Sequence, residues 1–210
     1  MAELLSKGLF ITFEGIDGCG KSTQIRLVTE YLDSKGMEYL LVREPGGTEI
    51  GEKIRSILLD KANNEMSPSA ELLLFEAARA QIVEEKIRPA IEAGITVICD
   101  RFYDSTFAYQ GVARSLGEDL VITLNDIATS GLAPDITFLL DLSVEDAYAR
   151  RKGRGEADDR MELLGLQFQE QVRSGYLKAA SKFDRIKVID SNRTPEEIFA
   201  DIKDAIEERL

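Results

Sequence analysis

A chain of 210 residues with 44% apolar content is expected to fold as one compact domain, residues 1–210, and its formal net charge of -12 argues against broad binding to nucleic acid or anionic membranes, both of which need a basic face. With no histidine, His-based catalysis and His-liganded metals are excluded, and two cysteines, Cys19 and Cys99, without paired metal-ligand spacing point to a reduced, cytoplasmic setting. The apolar runs are too short to cross a bilayer, and the opening "MAELLSKG" lacks the basic region and long apolar core of a signal peptide.

"LFITFEG", from Leu9 to Gly15, reads as a buried strand, and "KSTQIRLVTEYLDSKG" follows as a helix that Gly36 can stop. "EYLLVRE" is a second strand. "TEIGEKIRSILLD" has helical apolar spacing at Ile50, Ile54, Ile57 and Leu58. The stretch from Ser67 to Gly94 predicts a long helical segment capped by Ser67, with Pro89 bending or splitting it. "ITVICD" is a third strand ending in Asp100. Helices are predicted around Ser105–Val112 and Asp119–Thr129, then a fourth strand, "DITFLLDL", and a helix from "VEDAYARRK". That helix runs into a Gly- and charge-rich break, and the polar stretch at about 150–160 is a candidate lid. A helix over about Met161–Lys182, a fifth strand "RIKVID" and a last amphipathic helix opened by Pro195 complete the chain. Strands alternating with helices imply an α/β fold with a five-stranded parallel sheet covered on both faces, and the glycine-rich turn after the first strand, taken next, makes it of the P-loop NTPase type.

Between the first strand and the first helix lies "GIDGCGKS", the spacing of a phosphate-binding P-loop in the strand–turn–helix context its mechanism requires. Its glycines let successive backbone N–H groups point at a phosphate, and the helix adds its positive N-terminal end. Lys21 can reach the terminal phosphates, and the Ser22 hydroxyl can ligate Mg²⁺. The expected ATP cradle comprises Gly15, Ile16, Asp17, Gly18, Cys19, Gly20, Lys21, Ser22 and Thr23. An acidic protein can still hold a small anion in such a cradle. At the helix N-terminus, the Cys19 thiol is expected to favour thiolate, and a redox-sensitive site shared with Cys99 is an alternative to two small buried side chains.

Further along, Arg43 in "REPGGT" can contact a phosphate bidentately. Phe75 and Arg79 in "LLLFEAARAQ" share a helix face. Asp100 ends an apolar strand, where open parallel sheets place ligands, and can hold Mg²⁺ directly or through water. Ordinary readings stand beside these: Asp17 as a turn cap, Phe75 as a core contact, Arg79 in a surface ion pair with Glu76 or Glu84, Phe102 and Phe107 as packing, and the lid charges as a solvated run.

Taken together, "FEGIDGCGKSTQ", "REPGGT", "LLLFEAARAQ", "DRFYDSTFAYQG", "PDITFLLDL" and "RGEADDR", in this order from about Leu9 to Ile189, resemble the thymidylate kinase family, which moves the ATP γ-phosphoryl group to dTMP. The resemblance implies that Asp17 faces the acceptor's 3′-hydroxyl and that Arg43 and Arg101 hold its phosphate. It assigns thymine to Phe75, Arg79, Ser105 and Thr106, and places Tyr109 under the sugar, against a ribose 2′-hydroxyl. Gln110 is a further acceptor-site candidate. Some relatives carry an arginine in the P-loop where this chain has Gly18; others supply it from the lid. The lid here offers Arg150, Arg151, Arg154 and Arg160, with Arg154 the first catalytic candidate and Arg150 the second, Arg150 also serving as a wall of the ATP site with the region of Asn192 and Arg193. The resemblance further implies ATP with Mg²⁺ and a homodimer, for which the apolar helix at Ala70–Ile82 is a candidate face. The competing functions are a related kinase that accepts another monophosphate such as dUMP, a nucleotide switch, for which a guanine-reading Asn-Lys-x-Asp stretch is missing, and a non-enzymatic ATP-binding protein.

Overall fold

The computed structural model describes residues 7–153 and 160–210. Five strands, β1 (Phe10–Glu14), β2 (Tyr39–Arg43), β3 (Thr96–Asp100), β4 (Ile136–Asp141) and β5 (Ile186–Asp190), form one parallel sheet in the order β2-β3-β1-β4-β5. The three inner strands are almost wholly buried, which is why they read as continuous apolar runs; the outer two are partly exposed and mix polar with apolar residues. Side chains alternate between the faces. Ile11, Phe13, Ile98 and Phe138 enter one apolar cluster, whereas Phe10, Val97 and Cys99 join Phe102, Ile82 and Ile87 in another.

The strands are linked by α1 (Lys21–Ser34), α2 (Glu49–Leu59), α3 (Pro68–Ile82), α4 (Arg88–Glu92), α5 (Tyr103–Thr106), α6 (Glu118–Thr129), α7 (Val144–Lys152) and α8 (Leu166–Lys182), with α9 (Pro195–Glu207) last. Ser67 caps α3 through the Ala70 N–H, Thr194 and Glu197 form a reciprocal capping box on α9, and Gly36 leaves α1 at φ 66°.

Three segments depart from the expected helices. The stretch after Ser67 passes without a break through a π-helical turn, Val83–Ile87, into α4, and Pro89 lies inside this continuous run, directly after the wider turn. The helix expected from Ser105 starts earlier, at Tyr103, and widens into a π-helical segment over Phe107–Ala113. The helix expected from Met161 begins as a 3₁₀ turn, Glu162–Leu164, and α8 proper starts only after Gly165, whose φ of 84° breaks the run.

The register decides where the chemistry sits. Asp100 pairs with Phe13 on one side and with Arg43 on the other, so Glu14, Arg43 and Asp100 leave the sheet together at its C-terminal edge. Open parallel sheets bind ligands at that edge. Among the described residues no helix is long and apolar enough to cross a membrane.

Candidate active site

The loop from Gly15 to Gly20 leaves β1 and enters α1 with Gly15, Gly18 and Gly20 all at positive φ. At Gly18 (φ 94°) a Cβ would lie 2.3 Å from the Ala147 carbonyl oxygen, so backbone conformation and close packing on α7 both require glycine. Gly20 offers no side-chain cap, which leaves the first N–H groups of α1 facing the loop. Lys21 is nearly buried and folds back, donating to the carbonyls of Gly15 (3.0 Å) and Ile16 (3.3 Å), with Asp17 Oδ1 3.9 Å from its ammonium.

Arg101 links this loop to the acceptor side. It is a non-glycine residue at φ 68°, a strained backbone that swings its side chain off the end of β3. The guanidinium donates to Asp17 Oδ1 (2.7 Å), Ser105 Oγ (3.2 Å) and the Tyr176 hydroxyl (2.8 Å). Burial would raise the Asp17 carboxyl, but Arg101 and Lys21 outweigh it and hold it at about 2. Behind Arg101 lies Glu14, fully buried. It accepts from the Phe102 N–H (2.7 Å), the Ser105 N–H (3.2 Å), Ser105 Oγ (2.6 Å) and the Tyr176 hydroxyl (3.0 Å). Burial, together with the Asp104 charge, pushes Glu14 up to about 7 against the pull of Arg101.

A cleft of about 250 Å³ opens beside this network. It brings together Asp17, Gly18, Gly20, Lys21 and Ser22 from the loop with Arg43, Phe75, Arg79, Asp100, Arg101, Ser105, Thr106, Tyr109 and Gln110 from the acceptor motifs. Phe75 is half-buried in the cleft wall rather than a core residue, whereas Phe102 and Phe107 are buried, Phe102 also reaching the cleft. Thr106 Oγ1 is buried and has no partner among the described residues, and the same holds for Asp100 Oδ1. Tyr109 lies with its ring 5.6 Å from the Arg101 guanidinium.

Several assignments change. Arg79 does not form a surface pair, and Glu84 pairs with Arg88 instead. Arg79 is 1% exposed and donates to Glu44 (2.9 Å), Glu76 (2.9 Å) and Asn125 (3.0 Å). A second 2.9 Å contact to Glu44 leaves one of its five N–H groups uncommitted. The Ser105 hydroxyl is committed to Glu14, Tyr176 and Arg101, so it orients Arg101 and is not a free reader of a base. Arg43 is exposed and held by Glu52 (2.9 Å) and the Pro45 carbonyl (2.9 Å) at the cleft rim.

Arg150 lies outside the cleft and donates to the Ser191 carbonyl (3.1 Å), next to Asn192 and Arg193; its neighbour Arg151 lines the cleft, 3.3 Å from Glu162. Arg160 is buried and donates to the Leu58 carbonyl (2.6 Å), with a 2.7 Å contact to Glu71, and it does not line the cleft. Arg154 lies outside the described residues.

The thiolate expected at Cys19 does not form readily: burial raises its pKa, outweighing Lys21 and Arg101. Cys99 is also buried and raised, and it belongs to the apolar cluster on the other face of the sheet.

Glu14, Tyr176, Glu71, Arg55 and Glu162 escaped the sequence reading. Only Glu14 had a signal, a carboxylate at the end of an otherwise apolar strand.

Comparisons with known proteins bear on this site as a whole. The family model described as thymidylate kinase matches residues 13–202. Curated proteins named thymidylate kinase align over nearly the full chain. That of Thermoanaerobacter sp. (strain X514) is 50% identical over 205 residues, 97% of this chain and 100% of the relative. That of Symbiobacterium thermophilum is 50% identical over 203 residues, covering 96% and 94%, and that of Thermosipho africanus 49% over 202 residues, covering 96% and 99%. A P-loop, a strand-end aspartate and an acceptor pocket meeting in one cleft agree with a match spanning all three, and the chain belongs to the thymidylate kinase family.

Proposed function

We propose that this chain transfers the γ-phosphoryl group of ATP to dTMP, giving dTDP and ADP. The observation that carries the reading is the single cleft in which Lys21 and Ser22 of the P-loop face the acceptor residues Phe75, Arg101, Thr106 and Tyr109. A donor phosphate on the loop's N–H groups and an acceptor phosphate at Arg101 would share one water-poor space, and positioning is most of what phosphoryl transfer needs.

The acceptor is a phosphate oxygen and already anionic, so the reaction needs no strong general base. Asp17, ionised and held by Arg101, is suited to accept a hydrogen bond from the sugar 3′-hydroxyl. Thr106 offers its unpartnered hydroxyl to the base, Phe75 a ring face, Arg79 its one remaining N–H, and Tyr109 a wall beneath the sugar. Arg43, released from Glu52, adds a second grip on the acceptor phosphate. Positive charge on the transferring group comes from Lys21 and from the lid, where Arg151 already lines the cleft and Arg154 follows; Arg150 helps wall the ATP site beside Ser191.

Mg²⁺ fits the residues present. Asp100 Oδ1 is buried without a partner among the described residues, and Ser22 lies in the same cleft. Mg²⁺ of this kind is held by one or two side chains, water and phosphates and needs no protein cage. When bound, it neutralises charge on the phosphates.

The exposed apolar side chains Ile50, Ile57, Leu73, Leu120 and Ile127 lie on α2, α3 and α6, which pack side by side, and this face suits a homodimer. The net charge argues against nucleic acid or membrane as partners, and two buried unpaired thiols suit the cytoplasm.

The direct test measures ADP formation from ATP and Mg²⁺ with dTMP, dUMP, dCMP, AMP or no acceptor. Strong preference for dTMP is expected. Preference for another monophosphate would overturn the acceptor assignment, and ATP binding without acceptor-dependent ADP would sink the kinase reading.

A further inference from the structure

Glu71, in the first turn of α3, is 0% exposed, and its carboxylate gathers groups from three parts of the chain. Oε1 accepts from Gln110 Nε2 (2.9 Å) and Arg114 Nε (3.2 Å) on the π-helical segment and the turn that follows it. Oε2 meets a second Arg114 nitrogen (3.1 Å) and Arg160 (2.7 Å) at the foot of the lid. Burial would raise this carboxyl, but the hydrogen bonds and charges around it outweigh that and keep it below its ordinary value, hence ionised.

An ionised carboxylate only accepts hydrogen bonds. Its partner on Gln110 must therefore be the amide nitrogen, which turns the amide's carbonyl oxygen away from Glu71. Gln110 is 1% exposed and lines the cleft. A base placed there meets an acceptor. Thymine and uracil present an N3–H donor flanked by two carbonyls, whereas cytosine presents an N3 acceptor beside an amino group. An amide acceptor facing the N3 position pairs with the N3–H of the first pattern and repels the N3 lone pair of the second.

We propose that Glu71 is a positioning residue for base selection: its carboxylate fixes the Gln110 carboxamide acceptor-outward, against a 4-amino pyrimidine, and through Arg160 joins that setting to the foot of the lid. The inference rests on the acceptor-site reading above.

The test is the specificity of the Glu71→Gln enzyme. A neutral amide at this position can meet Gln110 in either orientation, so the lock is lost. The ratio of kcat/KM for dTMP over dCMP is expected to fall by about tenfold. The ratio for dTMP over dUMP, whose hydrogen-bonding edges are the same, stays within about twofold. A role limited to holding α3 to the lid would change all three substrates together, and unchanged ratios in the folded variant overturn the proposal. Where Glu71→Gln does not fold, Glu71→Asp, one methylene short of Gln110, takes its place with the same expectation. Gln110→Leu separates the two levels of failure. If it leaves the dTMP/dCMP ratio unchanged, Gln110 does not read the base and the acceptor assignment falls with the proposal. If it lowers the ratio while the Glu71 variants do not, only the proposal falls.

Discussion

Arg101 occupies a strained conformation that four polar groups hold in place: Asp17 in front, Ser105 and Tyr176 at its side, and Glu14 behind those two. Glu14 makes stability depend on pH near neutrality. Its folded pKa of about 7 lies above its ordinary value of 4.5, so between those values the folded protein binds more proton than the unfolded chain. The stability it contributes is full below about pH 4.5 and is lost as pH rises through about 7. Glu14→Gln is therefore expected to flatten the fall in Tm between pH 5.5 and 7.5 by about 2–6 °C, read by thermal melts at both pH values. Asp17 works in the opposite sense: held at about 2, it supports the fold above its ordinary 3.8 and ceases to as pH drops through 2. At Asp100, where a buried oxygen has no partner, Asp100→Asn is expected to lower kcat by about 10²-fold and to raise the Mg²⁺ concentration needed for half-maximal rate. An unchanged Mg²⁺ dependence would remove Asp100 from the metal site.

The π-helical segment Phe107–Ala113 positions Tyr109 and Gln110, and its partner is α8. Their approach is close enough that a Cβ on Gly175 would lie 2.8 Å from Ala108 Cα. Gly175→Ala must push the two apart. We expect a loss of about 1–3 kcal/mol of stability and a KM for dTMP that rises more than the KM for ATP, since the ATP loop packs elsewhere. Equal changes in both KM values would show that the pair does not shape the acceptor side. The P-loop has its own close contact at Gly18 on α7, and because α7 carries Arg151, the loop and this arginine's helix are packed as one unit.

Across the whole molecule, charge is arranged against the grain of composition. A chain of net charge -12 gathers six cations, Lys21, Arg43, Arg55, Arg79, Arg101 and Arg151, against four acids, Asp17, Glu44, Asp100 and Glu162, on one cleft, a local excess of positive charge that suits phosphate. The arginines flanking this stretch part ways: Arg150 donates to Ser191, Arg160 to Leu58, and Arg151 lines the cleft. Arg151→Ala and Arg154→Ala are each expected to lower kcat by about 10²-fold or more with the KM for dTMP little changed, whereas Arg150→Ala should act mainly on the KM for ATP, as steady-state kinetics would show. For the assembly, Ile127→Glu is expected to convert a dimer to a monomer in sedimentation velocity; a wild-type monomer at micromolar concentration would refute the dimer.

Local chemistry made much of this protein legible in one dimension. The P-loop spacing, the buried inner strands, the Ser67 cap and the Pro and Gly punctuation all act through neighbours a few residues apart, so sequence alone determined the alternation of strands and helices and the place of the glycine-rich loop between β1 and α1. Tertiary structure decided what depends on distant partners. Arg79 became a buried ion-cluster member because Glu44 and Asn125 meet it across the fold. Ser105 was claimed by Glu14 and Tyr176, 91 and 71 residues away. Cys19 lost its thiolate character to burial that a helix N-terminus alone does not reveal, and the two ends of the lid stretch were assigned to different tasks by contacts with Ser191 and Leu58. Competition among partners brought together by folding has no signature in spacing or composition, and it set the role of each of these side chains.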